Sequence, residues 1–145
     1  MNENIEMLEY IHKASNMGHS SAEDLLTALK DKDNKIRKIL ENINKEYESF
    51  EKESAKLLKK NKKEPKTAGI MADIMSKMSI KKEVMIDNSD PSMADMLIQG
   101  LTMGNIEIDK TITNFEKYID KDILDIAKRF RKFGERYIEE LKKYL

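Results

Sequence analysis

Apolar side chains recur at alternating steps of three and four along nearly the whole chain, a spacing that lays them on one face of a helix. Only two prolines, Pro65 and Pro91, and five glycines interrupt 145 residues, so the helices must be few and long. The first stripe is Ile5, Leu8, His12, Ser15, His19, Ala22, Leu26 and Leu29, and it predicts a helix from Glu3 to Lys30. Asp31-Lys32-Asp33 ends it, with Asp33 placed to cap a second helix over Asn34 to Lys63. That helix carries Ile36, Leu40, Ile43, Tyr47, Phe50, Ser54 and Leu57 on its apolar face. Lysines near its end oppose the negative end of the helix dipole, and Pro65 stops it. A shorter helix is predicted from Thr67 to Met85, with Ile70 or Met71, Ile74, Met75 and Met78 on one face. Ser89 or Asp90 then caps, and Pro91 opens, a helix over Ser92 to Tyr118. Its stripe is Leu97, Leu101, Gly104, Ile108, Ile112 and Phe115. Asp120 caps the last, Lys121 to Leu145, with Ile123, Ile126 and Ala127, Phe130, Gly134, Tyr137, Leu141 and Leu145.

Hydrophobic residues make up 39% of the chain and charged residues 37%. That balance fits helices with one buried stripe and one charged face, assembled into one domain. Net charge is zero but unevenly spread: residues 1–30 carry −3, residues 31–66 carry +4, residues 67–90 carry −1, and residues 91–145 balance. Without a domain-wide basic field, nucleic-acid binding is not expected. The lysine-rich run from Lys56 to Lys66 and the string Lys128-Arg129-Phe130-Arg131-Lys132 do not alter this. Phe130 lies on the core stripe, and acids sit four residues from the bases in the pairs Asp125–Arg129, Arg131–Glu135 and Glu139–Lys143. The absence of cysteine excludes disulfides, thiolate zinc sites and thiol catalysis. The first residues are acidic and do not read as a signal peptide, and no apolar run approaches the length of a bilayer span. A cytoplasmic protein without a transmembrane segment is expected. Lysine outnumbers arginine 23 to 4, a bias that fits an AT-rich bacterial genome.

Tight turns join the first two long helices and the last two, so each pair should form an antiparallel hairpin. Nearly 30 residues separate the hairpins, enough to cross the bundle and return to the starting end. The expected fold is therefore all-α: a four-helix bundle whose long crossover, between the second and third long helices, carries a short extra helix. In this connectivity the chain resembles the ferritin-like superfamily, in particular a bacterial branch with an extra small helix in the crossover. Di-iron members of that superfamily use a Glu from two helices and a Glu-x-x-His pair from the other two. Here one such pair exists, Glu9 and His12, and the other histidine, His19, lies on the same helix. The full di-iron ligand set is missing, so the resemblance implies the fold and not the activity.

His12 and His19 stand on one helix face about 10 Å apart, too far for one ion to bind both. As ligands for iron or another divalent metal, each needs carboxylates from elsewhere. Layer matching offers Glu46 and Glu51, together with Glu107 and Asp109. The simpler account is a buried or half-buried histidine satisfied by a neighbouring carboxylate. No cofactor is expected on that account, with a metal as the alternative.

Gly18, Gly104 and Gly134 sit inside helix stripes at similar height, each costing about 1 kcal/mol relative to Ala. Close helix approach, with Gly100 and Gly104 as a contact face or with room made for Tyr47 and Phe50, would offset that cost. So would a cavity that admits a ligand. On the predicted crossover helix Met71, Met75 and Met78 (with Met85) mark one face, while Lys77, Lys81 and Lys82 lie elsewhere. Such a helix caps the bundle, docks a protein partner or lies on a membrane. No phosphate-binding glycine loop and no legible nucleophile–base set is present. The expected function is a non-enzymatic binding or structural bundle that forms homo-oligomers through the crossover helix or a bundle face. Metal binding through Glu9, His12, His19, Glu46 and Glu51 is the first alternative. Membrane or partner docking through residues 67–86 is the second.

Overall fold

The computed structural model describes residues 2–65 and 87–145, and the predicted crossover helix lies outside them. The described chain is all-α, with four long helices: α1 (Glu3–Ala28), α2 (Arg37–Lys60), α3 (Asp90–Phe115) and α4 (Lys121–Leu141). A short 3-10 turn, Lys142–Tyr144, follows α4. The four long predicted helices are present, and each ends two to four residues earlier than expected. At the end of α2 the Lys63 amide donates to Leu58 O (2.9 Å) and the Lys62 amide to Lys59 O (3.0 Å). Lys62 adopts a left-handed φ of 60°, so a Schellman closure ends this helix three residues before the predicted Lys63.

Helix starts depend on side chains from near and far. Asn2 caps α1 through its Oδ1, which accepts from the Asn4 amide (2.8 Å). Ser89 takes the N-cap position of α3, followed by Pro91. The predicted caps on the other two helices are not made. Asp120 occupies the N-cap of α4 without a side-chain capping bond. Asp33 does not cap α2, whose N-cap residue is Ile36. Asp90, at the start of α3, does that work instead: its carboxylate accepts from the amides of Lys35 (3.1 Å) and Ile36 (3.4 Å) and from Asn34 Nδ2 (3.0 Å).

These contacts fix directions. The starts of α2 and α3 meet at Asp90. The starts of α1 and α4 meet where the Asp120 amide donates to Asn4 Oδ1 (2.9 Å). Between α2 and α4, Glu53 pairs with Arg129 and Lys60 with Asp122, so rising numbers on one helix meet falling numbers on the other. The same holds for α1 and α2, where His12 meets Ser54 and His19 meets Asn44. Helices α1 and α4 therefore run one way, α2 and α3 the other.

The core is continuous through all four helices. It includes Met7, Leu8, Ile11 and Leu25 on α1, Leu40, Ile43 and Leu58 on α2, Met93 and Ile108 on α3, and Ile123, Ile126 and Leu141 on α4. The predicted stripes run through it, but Leu145 is 62% exposed because the chain leaves α4 before reaching it. On α4, Asp125–Arg129 (2.8 Å) and Arg131–Glu135 (3.9 Å) pair as predicted. Glu139 pairs with Lys142 (2.8 Å) rather than Lys143, since the final residues wind as a 3-10 turn.

Removing the Asp90 carboxylate leaves the Lys35 and Ile36 amides, at the entry to α2, without this acceptor and removes a negative charge from two helix starts. Asp90→Ala is expected to lower stability by about 1–2 kcal/mol. Chemical denaturation followed by circular dichroism measures this, and a loss below the error of the fit would show that water replaces the cap.

Candidate functional site

Two glycines on α3 border an apolar cavity. A methyl group placed at Gly100 or Gly104 would have no neighbouring atom within 4 Å. Both positions border a half-open cavity of about 370 Å³ between α1 and α3. Met17 and Leu25 form one wall, Leu97 and the two glycines the other, and Tyr47 the floor. Hydroxyl groups, from Ser21 and Tyr47, are the polar side-chain groups of the lining, which holds no charged side chain and no histidine.

The other two seam glycines behave differently. A methyl at Gly18 would collide with the Tyr47 ring, and one at Gly134 with the Asn105 side chain. Gly18 thus lets the Tyr47 ring pass against α1, which was one of the uses predicted for these glycines. Among the described residues Gly100 and Gly104 form no close contact face, the other use predicted for close approach. A Gly-x-x-x-Gly spacing creates a flat strip, and here that strip borders a void.

Tyr47 belongs to an aromatic cluster joining α2 to α4. Its ring meets Phe133 edge-on at 4.8 Å between centroids, and Phe50 meets Phe130 at 5.1 Å. Burial, followed by the neighbouring Tyr10, pushes the Tyr47 hydroxyl well above the ordinary tyrosine range. That hydroxyl makes no hydrogen bond among the described residues. Tyr10 reaches across from α1 and donates to Gly104 O (3.1 Å). Burial, then the Glu107 carboxylate, pushes it up to about 12.

The predicted metal ligands do not converge. His12 is buried, with Nδ1 3.2 Å from both Glu51 O and Ser54 Oγ. A backbone carbonyl and a hydroxyl therefore satisfy it, where a carboxylate was expected. His19 Nδ1 lies 2.7 Å from Asn44 Oδ1, and its Nε2 lies 3.3 Å from Glu23. The Glu51 carboxylate accepts from Asn16. Glu46 faces α4, where it accepts from Arg136 and Tyr137. Glu9 is half-buried on α1. Asp109, the other carboxylate matched by layer, meets Arg131 (3.2 Å). Among the described residues no three His, Asp or Glu side chains group as a metal site requires. Asp24 Oδ2 is buried without a hydrogen-bond partner in the described structure, but it lies three turns along α1 from His12.

A second, more polar cleft lies between α2 and α4. Its arginines are already engaged, Arg129 with Glu53 (2.6 Å) and Arg136 with Glu46. Arg136 also stacks over the Tyr137 ring at 4.5 Å. The surface residues predicted on the crossover, Met71, Met75, Met78, Lys77, Lys81 and Lys82, lie outside the described residues. No described helix is long and apolar enough to cross a membrane. Comparison with protein-family models, with curated proteins and with solved structures finds no match. The class defined by the described residues is all-α, four helices sharing one core.

Two experiments follow from this site. Gly100→Ala and Gly104→Ala should each raise stability by about 0.5–1 kcal/mol, since a methyl group enters open space and helix propensity improves. Gly18→Ala should lower it by about 1–3 kcal/mol through overpacking against Tyr47. Urea unfolding of the three variants reads the opposite signs directly, and equal signs would mean the cavity is collapsed in solution.

The second concerns alkaline pH. The folded Tyr10 holds its proton to about 12 against an ordinary 10, so the folded state binds more protons in that window. Stability from this group is complete below pH 10 and falls as pH rises through 12. Tyr10→Phe should flatten that part of the alkaline unfolding profile, while an unchanged slope would assign the loss to other groups.

Proposed function

We propose that the protein is a non-enzymatic, self-associating binding bundle of ferritin-like connectivity, with the cavity between α1 and α3 as its ligand site. The carrying observation is the pair Gly100 and Gly104. Each lowers helix propensity by about 1 kcal/mol, and neither is offset by a packed neighbour among the described residues. A cavity of about 370 Å³ falls within the size range of small-molecule sites. Its lining supplies hydroxyls but no general base, nucleophile–base pair or cationic clamp, which favours binding over catalysis. The ligand class is a small, mostly apolar molecule, with a single acceptor to meet the Tyr47 hydroxyl.

The ferritin-like connectivity is supported by the parallel run of α2 and α3. With both starts at Asp90, α2 ends away from the place where α3 begins, which is what a long crossover between them would require.

Titration with the apolar fluorophore 1-anilinonaphthalene-8-sulfonate tests the site. The wild type should bind it saturably. Gly104→Leu, which fills the cavity, should abolish that binding while helicity and melting temperature hold or rise. Met103→Glu, on the outer face of α3, should leave it unchanged. Binding that persists in Gly104→Leu would place the fluorophore elsewhere and remove this reading.

A further inference from the structure

Helix α3 has a second uncommitted surface, on the side away from the core. Its core-facing residues are Met93, Ala94, Leu101, Ile108 and Ile112. At 3.6 residues per turn, the opposite face carries Asp95, Gln99, Met103, Ile106 and Lys110. All five are exposed, Met103 at 72% and Ile106 at 49%. From Met96 to Ile106 there are eleven residues without a charge, in a chain where 37% of residues are charged. Along its central stripe the face is thus uncharged in the middle, with Asp95 at one end and Lys110 at the other, Lys110 being flanked by Glu107 and Asp109.

We infer that this face pairs with the same face of a second copy, the two α3 helices antiparallel about a two-fold axis between Thr102 and Met103. The pattern is self-complementary about that point. Asp95 of one copy falls opposite Lys110 of the other, Gln99 opposite Ile106, and the two Met103 side chains meet at the axis. The two-fold repeats each pair, so two ion pairs flank one apolar centre, as an isologous interface requires. A parallel pairing would set Asp95 against Asp95 and Lys110 against Lys110. It would bring like charges together at both ends, so the charges select the antiparallel arrangement.

Local contacts leave both charged ends free to exchange. Asp95 Oδ2 accepts from Gln99 Nε2 (3.1 Å), and Lys110 lies 3.6 Å from Glu107. Both contacts are on the surface, where water and a facing partner compete equally well. Met103 supplies an unbranched, adaptable side chain at the centre.

This inference rests on the self-association proposed above and names its surface. Sedimentation equilibrium of the full chain separates the two. The wild type should dimerise with a Kd on the order of micromolar, as one helix pair gives a small interface. Met103→Glu should make it monomeric. Asp95→Lys alone and Lys110→Asp alone should each weaken dimerisation about tenfold or more, by creating two repulsive pairs. The double variant Asp95→Lys/Lys110→Asp should restore it. All these positions are exposed, so unchanged circular dichroism is expected throughout. A monomeric wild type would overturn both the self-association and this face. A wild-type dimer insensitive to Met103→Glu, or charge reversals that fail to rescue each other, would overturn the face alone.

Discussion

One carboxylate, Asp90, holds the starts of two helices at once. Asn34, Lys35 and Ile36 enter α2 without a capping side chain of their own, and their donors turn to Asp90. The same residue stands at the first turn of α3, where its charge opposes the positive end of the helix dipole. Because those two starts are tied together, α3 cannot reverse without leaving the Lys35 and Ile36 amides and the Asn34 side chain without this acceptor. The direction of α3 in turn decides what it faces. Running against α1, it presents Leu97, Gly100 and Gly104 towards Met17 and Leu25, and the cavity lies between them.

That cavity persists because the helices around it are held apart by something rigid. Tyr47 occupies the middle of the bundle, pressed against Gly18 on one side and against Phe133 on the other. The aromatic cluster on α2 and α4 is closely packed and does not yield readily. Tyr10 spans from α1 to the Gly104 carbonyl, setting the spacing of α1 and α3 at one end of the gap. Larger side chains at Gly100 and Gly104 would fill the space between these supports. The glycines leave it open, and helix propensity is the cost.

The fold was largely legible in the sequence because its signal is periodic. The order and approximate extent of the four described helices follow from apolar spacing. The core is wider than the single stripes, because Met7, Ile11 and Leu25 flank the α1 seam and a buried helix face spans more than one residue per turn. Contacts between residues distant in sequence were not legible. Asp33 has the right chemistry and position for a cap, yet Asp90, more than fifty residues away, makes it. His12 reads as needing a carboxylate, but a backbone carbonyl serves it, and backbone partners leave no residue-type signal. Gly-x-x-x-Gly marks a strip where nothing projects, and the same pattern describes a contact or a hole. Five candidate metal ligands could be matched by height along the bundle, but height does not fix the rotation of a helix. Rotation is what turns Glu46 towards α4 and His19 towards Asn44.

Helix α3 departs most from a helix that buries one face and solvates the other. Its central residues must be accounted for on three sides. Leu101 and Ile108 enter the core, as in any bundle helix. Leu97, Gly100 and Gly104 turn towards the cavity. Met103 and Ile106 point into water. Core burial explains the first group and not the others. A helix apolar around most of its circumference is stable on the surface only when other surfaces cover it. The charge distribution makes the same point. Charges resume only beyond the stretch, at Asp95 on one side and at Glu107, Asp109 and Lys110 on the other, whereas α4 spreads its acids and bases along its whole exposed face. A chain that places charges so freely elsewhere withholds them where water contact is incomplete. On the proposals above, a small apolar ligand on the α1 side and a second copy on the outer side would together provide the cover that the described residues do not.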